Sequence, residues 1–400
     1  MSRKQLVAVL KLVLAAGLVL FVLSRVNLVD KYRILNEDGK PVREQSGRIL
    51  GDWRDIPRRF APADDPETVL LIPSGSPAKD HRQEVQPGLP TYVRQMKLWL
   101  FLVGAIFYFL VASFSALRWW WLLRFNQLNV TLFQAFKLTW IGVFFNNVVP
   151  GLTGGDLVKA IYVVRLTGQK TRPIVSVFVD RVVGLMALAL LAAIVVLFDF
   201  EQFAAIAYGI YGGLLLLFLG SVAFLSRRVR RTLRLDALLK RLPLSGLLQQ
   251  VDQAIYFYRG HLKGMIVMVL LSVVNHLLGV IGVILIGNAL SVGMPPLSYL
   301  ILIPIINIAS AVPVAPAGWG VGETLFQFLL VKFRPLAIAA QAMATRAVAL
   351  SVVYRIHLML WSLLGAMFLA FERTKPSEEE MSRLMDELED EAGAGARAGA

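Results

Sequence analysis

The sequence contains no cysteine. Disulfides, thiolate catalysis and zinc–cysteine sites are excluded outright. Charge is scarce too: 17% of the 400 residues are Asp, Glu, Lys or Arg, against 56% hydrophobic, and mean hydropathy is +0.63. A soluble domain must present more charge to water than that. Also missing is the strict alternation of a membrane β-barrel. Only four histidines occur. No His, Asp and Glu group has metal-ligand spacing and no nucleophile–base pair is readable, so no metal, cofactor or catalytic residue is expected.

What is present is a series of nearly continuous apolar runs, at residues 6–23, 98–117, 182–198, 204–225 and 265–286. At ~1.5 Å per residue each can cross a hydrocarbon core of ~30 Å. The chain therefore reads as a polytopic α-helical membrane protein. Its formal net charge of +14 would suggest nucleic acid in a soluble protein. Here basic residues mark cytoplasmic loops and contact anionic headgroups, and no nucleic-acid partner is expected. Ser2-Arg3-Lys4 before the first run resembles a signal peptide, but Phe21-Val22-Leu23-Ser24-Arg25 offers no small-residue cleavage site. An uncleaved anchor (1–26) with a cytoplasmic N-terminus is expected.

Residues 27–96 are polar and expected to be extracytoplasmic. Tyr32-Arg33-Ile34-Leu35 and the stretch 42–50 read as two strands around a turn in which Gly39 supplies the positive φ, and Val69-Leu70-Leu71-Ile72 as a third strand. Prolines at 57, 62, 66, 73, 77, 87 and 90 argue instead for an irregular loop. Both readings stay open. The second run ends in Arg118-Trp119-Trp120-Trp121-Leu122-Leu123-Arg124, read as a cytoplasmic interfacial belt. Arg227-Arg228-Val229-Arg230-Arg231 opens a basic, leucine-rich amphipathic segment at 226–263, the strongest cytoplasmic signal in the chain. The last strong span is 348–371. The acidic tail 372–400 carries a capping box at Ser377 and Glu380, and its Gly/Ala end is expected to be disordered.

Two weaker apolar segments are interrupted. Residues 133–149 run into Pro150-Gly151-Leu152-Thr153-Gly154-Gly155-Asp156, and the basic residues Lys159, Arg165, Lys170 and Arg172 place the far side in the cytoplasm again. Residues 299–314 run into Pro316-Ala317-Gly318-Trp319-Gly320-Val321-Gly322-Glu323, with a helix at 324–333 beyond. Each break follows asparagine (Asn146-Asn147, Asn307) and ends in Gly plus a carboxylate. By the parity of the spans the first enters from the cytoplasm and the second from outside. Paired breaks of opposite topology point to an inverted-repeat transporter site. A helix that starts inside the membrane presents unpaired N–H groups and partial positive charge. Glycines let a headgroup approach closely, so a phosphate is a natural ligand, with Lys159 available to pair it or Asp156. The competing reading is that Pro and Gly merely kink packed helices.

Among other ionisable residues in apolar context, Asp180 and Arg181 are adjacent, cannot face each other on a helix, and should each find a partner elsewhere. Arg346, Arg355 and His357 lie in or near the last span. His276 is read as a packed, hydrogen-bonded residue.

The run from Asn147 through Pro150, Gly151, Gly154, Gly155 and Asp156 to Lys159, then Asp180-Arg181, then Pro313 and Pro316 to Glu323, resembles the lysylphosphatidylglycerol synthase transmembrane region, or flippase-like family, over residues 97–371. Asp156 and Lys159 stand where the family more often has Glu and Arg, and the 27–96 insert is larger than its norm. The resemblance implies translocation of aminoacylated or other phospholipids, or of polyprenyl-linked lipids, between leaflets. Only about 29 residues follow the last span, too few for the aminoacyl-transfer domain of the synthases, so no lysyl-lipid synthesis is expected of this chain.

The reading is an all-α polytopic protein of the cell membrane with about six full spans, two re-entrant broken-helix segments in a candidate inverted repeat, and a loop or small β insert outside. Both termini are expected in the cytoplasm. In the leading hypothesis membrane lipids with an anionic headgroup are the partners. Asp156 and Glu323 orient the half-helices or couple to protons; Lys159, Asp180, Arg181 and Arg346 contact phosphate or form gating pairs. The alternatives are a membrane-embedded transferase acting on lipid-linked substrates and a non-transporting partner of a lipid-modifying enzyme.

Overall fold

A computed structural model of the chain describes residues 13, 16–17, 20–36, 41–73, 77–78, 81–148, 154–225, 258–310 and 320–372. Gly39, most of the first apolar run, the basic segment 226–257 and the tail from 373 lie outside the described residues. So do Pro150, Gly151, Pro316 and Gly318. The chain divides into two compact units, Met1–Phe107 with Ile281–His357 and Tyr108–Val280 with Leu358–Ala400.

In the first unit the polar insert is a six-stranded antiparallel sheet of order β4-β3-β2-β1-β6-β5. Its strands are β1 (Asp30–Leu35), β2 (Pro41–Leu50), β3 (Arg58–Pro62), β4 (Leu70–Ile72), β5 (Pro77–Ala78) and β6 (His81–Gln86). This decides for the β reading of the insert against the irregular loop. The prolines do not interrupt the ladder because they punctuate it. Pro41 and Pro77 open strands, Pro62 closes one, Pro73 and Pro87 follow strands, and Pro90 sits in the first turn of a short helix, α1 (Leu89–Arg94). At strand ends and helix starts the missing N–H costs no ladder bond. Tyr32 faces Gln45 on one side and Val85 on the other, and Ile49 faces Phe60. Tyr32, Ile49, Phe60, Ile72 and Val85 are all buried. Buried Asp30 accepts the N–H groups of Ile49 at 2.9 Å and Gly88 at 2.7 Å, fixing the sheet to the start of α1. Gly47 is required where it lies, since a Cβ there would meet the Phe60 ring at 2.5 Å.

The rest is helical: α2 (Leu98–Phe125), α3 (Leu132–Val148), α4 (Gly154–Thr167), α5 (Thr171–Val195), α6 (Phe200–Leu225), α7 (Leu262–Ala289), α8 (Pro296–Ser310), α9 (Val321–Lys332) and α10 (Ala340–Ala370). Four stretches, Leu98–Phe125, Thr171–Leu216, Leu262–Ala289 and Ala340–Ala370, are long and apolar enough to cross a membrane. The protein is a membrane protein. Within Thr171–Leu216 the chain reverses. Tyr211 Oη donates to the Ala193 carbonyl at 2.7 Å, whereas a continuous helix would separate them by ~27 Å. The reversal uses a 3-10 turn at Val196–Asp199 and non-helical Phe203.

α2 runs on through the tryptophan cluster instead of ending before it. Trp119, Leu122 and Leu123 are buried, so Trp119 belongs to the core of the second unit with Leu138, Ile141, Val158 and Val163. The belt reading of Trp119 is thereby corrected: its indole donates to Ser176 Oγ at 3.3 Å. α10 begins earlier than the sequence suggests and takes in Arg346.

Candidate functional site

In the second unit α3 and α4 flank the first break and pack closely. Asn146 Oδ1 accepts the N–H of Gly155 at 3.0 Å. A Cβ on Gly155 would collide with the Gly142 carbonyl and lie 2.7 Å from Asn146, and one on Gly142 would lie 2.8 Å from the Gly155 carbonyl. Glycine at both positions lets the backbones touch. Asn147, by contrast, donates to Val143 within its own helix at 2.8 Å; the neighbouring Asn146 is the one that ties the helices together.

This packing sets Asp156, the third residue of α4, at the positive end of that helix. Its carboxylate pairs with Lys159 Nζ at 2.8 Å and with Arg181 Nε of α5 at 2.5 Å. Lys159 is buried and lies 4.9 Å from the centre of the Trp119 ring. The Arg181 side chain is 45% exposed, so it is the reachable member. One carboxylate against two cations leaves a surplus positive charge beside exposed guanidinium.

In the first unit Gly320, whose φ of 80° favours glycine, immediately precedes α9 as its N-cap. Glu323, the third residue of α9, reaches back to accept the Gly320 N–H through Oε2 at 2.7 Å. Its Oε1 pairs with Arg355 Nε of α10 at 2.6 Å. Gly322 makes room for that arginine, since a Cβ there would stand 3.2 Å from Arg355 Nη2. Both partners are largely buried, at 7% and 17% side-chain exposure.

The remaining expected residues do other work. Asp180 pairs with Arg118 Nε at 2.7 Å, and Arg118 Nη1 donates to Ser272 Oγ at 2.8 Å. Arg118, at the end of the second apolar run, is buried and is an interior ion-pair partner. Arg346 is not brought to Glu323. It donates to Tyr92 Oη at 3.0 Å and the Val292 carbonyl at 3.1 Å, and its guanidinium lies near the rings of Trp53 and Tyr92. His276 Nε2 is 2.9 Å from the Gly184 carbonyl, the packed role expected of it. Asp180 and Arg181 find separate partners, as their adjacency requires. The sequence reading did not name Arg355 or Arg118 as site residues. The available signal was an arginine inside an apolar helix, which demands a counter-charge. Among the described residues no group of three or more His, Asp or Glu could hold a metal.

The family described as the lysylphosphatidylglycerol synthase TM region matches residues 88–364, well over half of the chain. Neither a curated protein nor a solved structure matches. The match begins at the start of α1 and ends within α10, and takes in both carboxylate–arginine pairs. The chain belongs to the lysylphosphatidylglycerol synthase TM region family.

Proposed function

We propose that this chain is a flippase-like lipid transporter that moves an anionic phospholipid or polyprenyl-linked lipid between leaflets of the cell membrane. One observation carries the reading. The carboxylate–arginine device occurs twice, each time with the carboxylate at the third residue of a short helix that follows a Pro/Gly break. A headgroup phosphate can replace the carboxylate on such an arginine without leaving the cation unpaired. Removing a partner outright would cost about 3–5 kcal/mol for a buried pair. Exchange of one anion for another avoids most of that cost. The surplus charge at Asp156, Lys159 and Arg181 favours an anion, as does the start of α4.

The helices around the breaks have 17, 14, 15 and 12 residues. At ~1.5 Å per residue they are each about 18–26 Å long, short of a ~30 Å core. On this reading α3–α4 and α8–α9 are re-entrant hairpins among about six full spans, with the sheet outside and both termini in the cytoplasm. The test is purified full-length protein in liposomes with leaflet-labelled phosphatidylglycerol or polyprenyl phosphate. Flipping that Asp156→Asn and Glu323→Gln each reduce tenfold or more supports transport. Headgroup turnover without flipping supports a transferase instead. Topology is tested by Val42→Cys and Leu262→Cys, both positions exposed, in this cysteine-free chain. Val42 should label from outside and Leu262 from inside; Phe60, buried in the sheet, would label from neither side.

A further inference from the structure

A cavity of about 840 Å³ opens in the first unit between residues 21–25, α9 and the start of α10. Its size falls in the ~300–1,000 Å³ range of small-molecule sites. Among the described residues three cations line it, Arg25, Lys332 and Arg334, and no Asp or Glu does. No carboxylate pairs with any of the three among the described residues. Arg25 and Lys332 rest against phenylalanine rings, Phe21 at 5.3 Å and Phe328 at 5.9 Å. Arg334 caps the end of α9, donating to the Val331 carbonyl at 2.9 Å and to Ile338 at 2.9 Å. The remaining wall is mostly apolar. Thr324, Phe328 and Val331 form a strip along one face of α9, following its i, i+4, i+7 spacing. Phe21 and Phe328 are exposed. The floor is tied by Gln327, whose amide lies 3.5 Å from the Val22 carbonyl.

A cluster of unpaired cations continued by an apolar trough fits one chemistry: an anionic headgroup with an aliphatic chain attached. We propose that this cavity binds an anionic phospholipid, its phosphate among Arg25, Lys332 and Arg334 and an acyl chain along the Phe328–Val331 face of α9. Arginine and lysine recognise phosphate oxygens through charge-assisted hydrogen bonds. The trough starts at Thr324, next to Glu323, and ends at the cations ~12 Å along the helix. The site is distinct from the carboxylate–arginine pairs, and it stands whether or not the chain moves lipid.

The test is native mass spectrometry of the full chain from nanodiscs of phosphatidylcholine doped with phosphatidylglycerol, with sn-glycerol 3-phosphate added in a parallel arm. Phosphatidylglycerol should be retained over phosphatidylcholine, and the soluble phosphate should not displace it. Each lost charge should weaken retention about fivefold. Arg25→Gln/Lys332→Gln spares the Arg334 cap of α9 and should lower retention ~25-fold, while Arg25→Lys/Lys332→Arg keeps it. Equal retention of both lipids would overturn the proposal. So would unchanged retention in the double Gln variant, or displacement by glycerol phosphate, which would mean a site for the free anion. Binding is read without transport, so a failed flipping assay leaves this result intact.

Discussion

Asp180 shows where charge in this protein is structural. Its carboxylate and the Arg118 guanidinium, 2.7 Å apart, are 11% and 8% exposed, and the guanidinium also holds Ser272. Asp180→Ala leaves a buried cation without its counter-charge, which should cost about 3–5 kcal/mol. Ser272 can accept one hydrogen bond but supplies no charge. Replacing both partners by apolar residues of similar size is often neutral or stabilising. The double variant Arg118→Met/Asp180→Leu should therefore recover most of the loss. Gly184 packs against the same guanidinium, the nearest Arg118 atom standing 3.5 Å from a Cβ position, in ordinary van der Waals contact. The assay is thermal unfolding of the purified full chain in detergent, followed by tryptophan fluorescence. With roughly 2–4 °C per kcal/mol, Asp180→Ala should lower the apparent Tm on the order of 10 °C, and the double variant should return to within a few degrees of the parent. An Asp180→Ala protein as stable as the parent would refute the reasoning. A double variant no better than the single would do the same. If the pair is structural, the stable double variant also keeps whatever activity the parent shows.

Two further outcomes concern the insert. Burial pulls the Glu44 carboxyl upward, but hydrogen bonds and charge from Lys31 and Arg33, each 2.5 Å away, outweigh it and hold the group below its ordinary value. The pair thus supports the β1–β2 ladder fully above the unfolded carboxyl's ~4.3 and loses that support as pH falls through the lowered folded value. Hydrogen exchange of β1–β2 amides, corrected for intrinsic rate, should show protection falling there; Glu44→Gln should flatten the profile, and matching profiles would exclude the pair as the cause. Arg346→Ala removes two hydrogen bonds and the contacts with the Trp53 and Tyr92 rings, about 2–3 kcal/mol together. Limited proteolysis should then cut within the insert faster, Arg346→Lys should be intermediate, and unchanged cutting would remove Arg346 as the anchor.

The helices were legible because long apolar runs need no tertiary information. Residues 265–286 foretell α7 and the two separate runs around 199–203 foretell the reversal between α5 and α6. The sheet was half legible. β1, β2 and β4 carry alternating or apolar signals, whereas Arg58–Pro62 opens on two arginines and ends in proline, and His81–Gln86 has one apolar residue, Val85. Their pairing comes from the ladder itself, which single-strand pattern does not report. The partners of the site carboxylates were hidden for another reason. Arg181 and Arg355 stand 25 and 32 residues from Asp156 and Glu323, and only helix packing brings them together. The ion pair of Arg118 was hidden because its tryptophan neighbours resemble an interfacial belt; burial, not composition, reveals it.

The two pairs have one plan and unequal chemistry. A long helix, a short helix, a break, a short helix and a long helix follow in order twice, as α2 to α5 with 28, 17, 14 and 25 residues and as α7 to α10 with 28, 15, 12 and 31. Both carboxylates fall on the third residue of the second short helix, and both arginines on the long helix after it. Three residues beyond Asp156 stands Lys159; three beyond Glu323 stands Phe326, buried and apolar. The first carboxylate therefore meets two cations, one of them an accessible arginine, and the second meets a largely buried arginine with no lysine at the matching position. Neutralising each carboxylate should have different consequences for that reason. Asp156→Asn leaves Lys159 and Arg181 as two cations with an amide between them, an arrangement that should bind an added anion more tightly. Glu323→Gln keeps an acceptor for the Gly320 N–H but takes the carboxylate away from the largely buried Arg355 Nε, so its first effect should be on stability. Phosphatidylglycerol retention and unfolding temperature measured on both variants separate these effects. If Asp156→Asn and Glu323→Gln shifted the two readouts identically, local charge would not be what distinguishes the two sites.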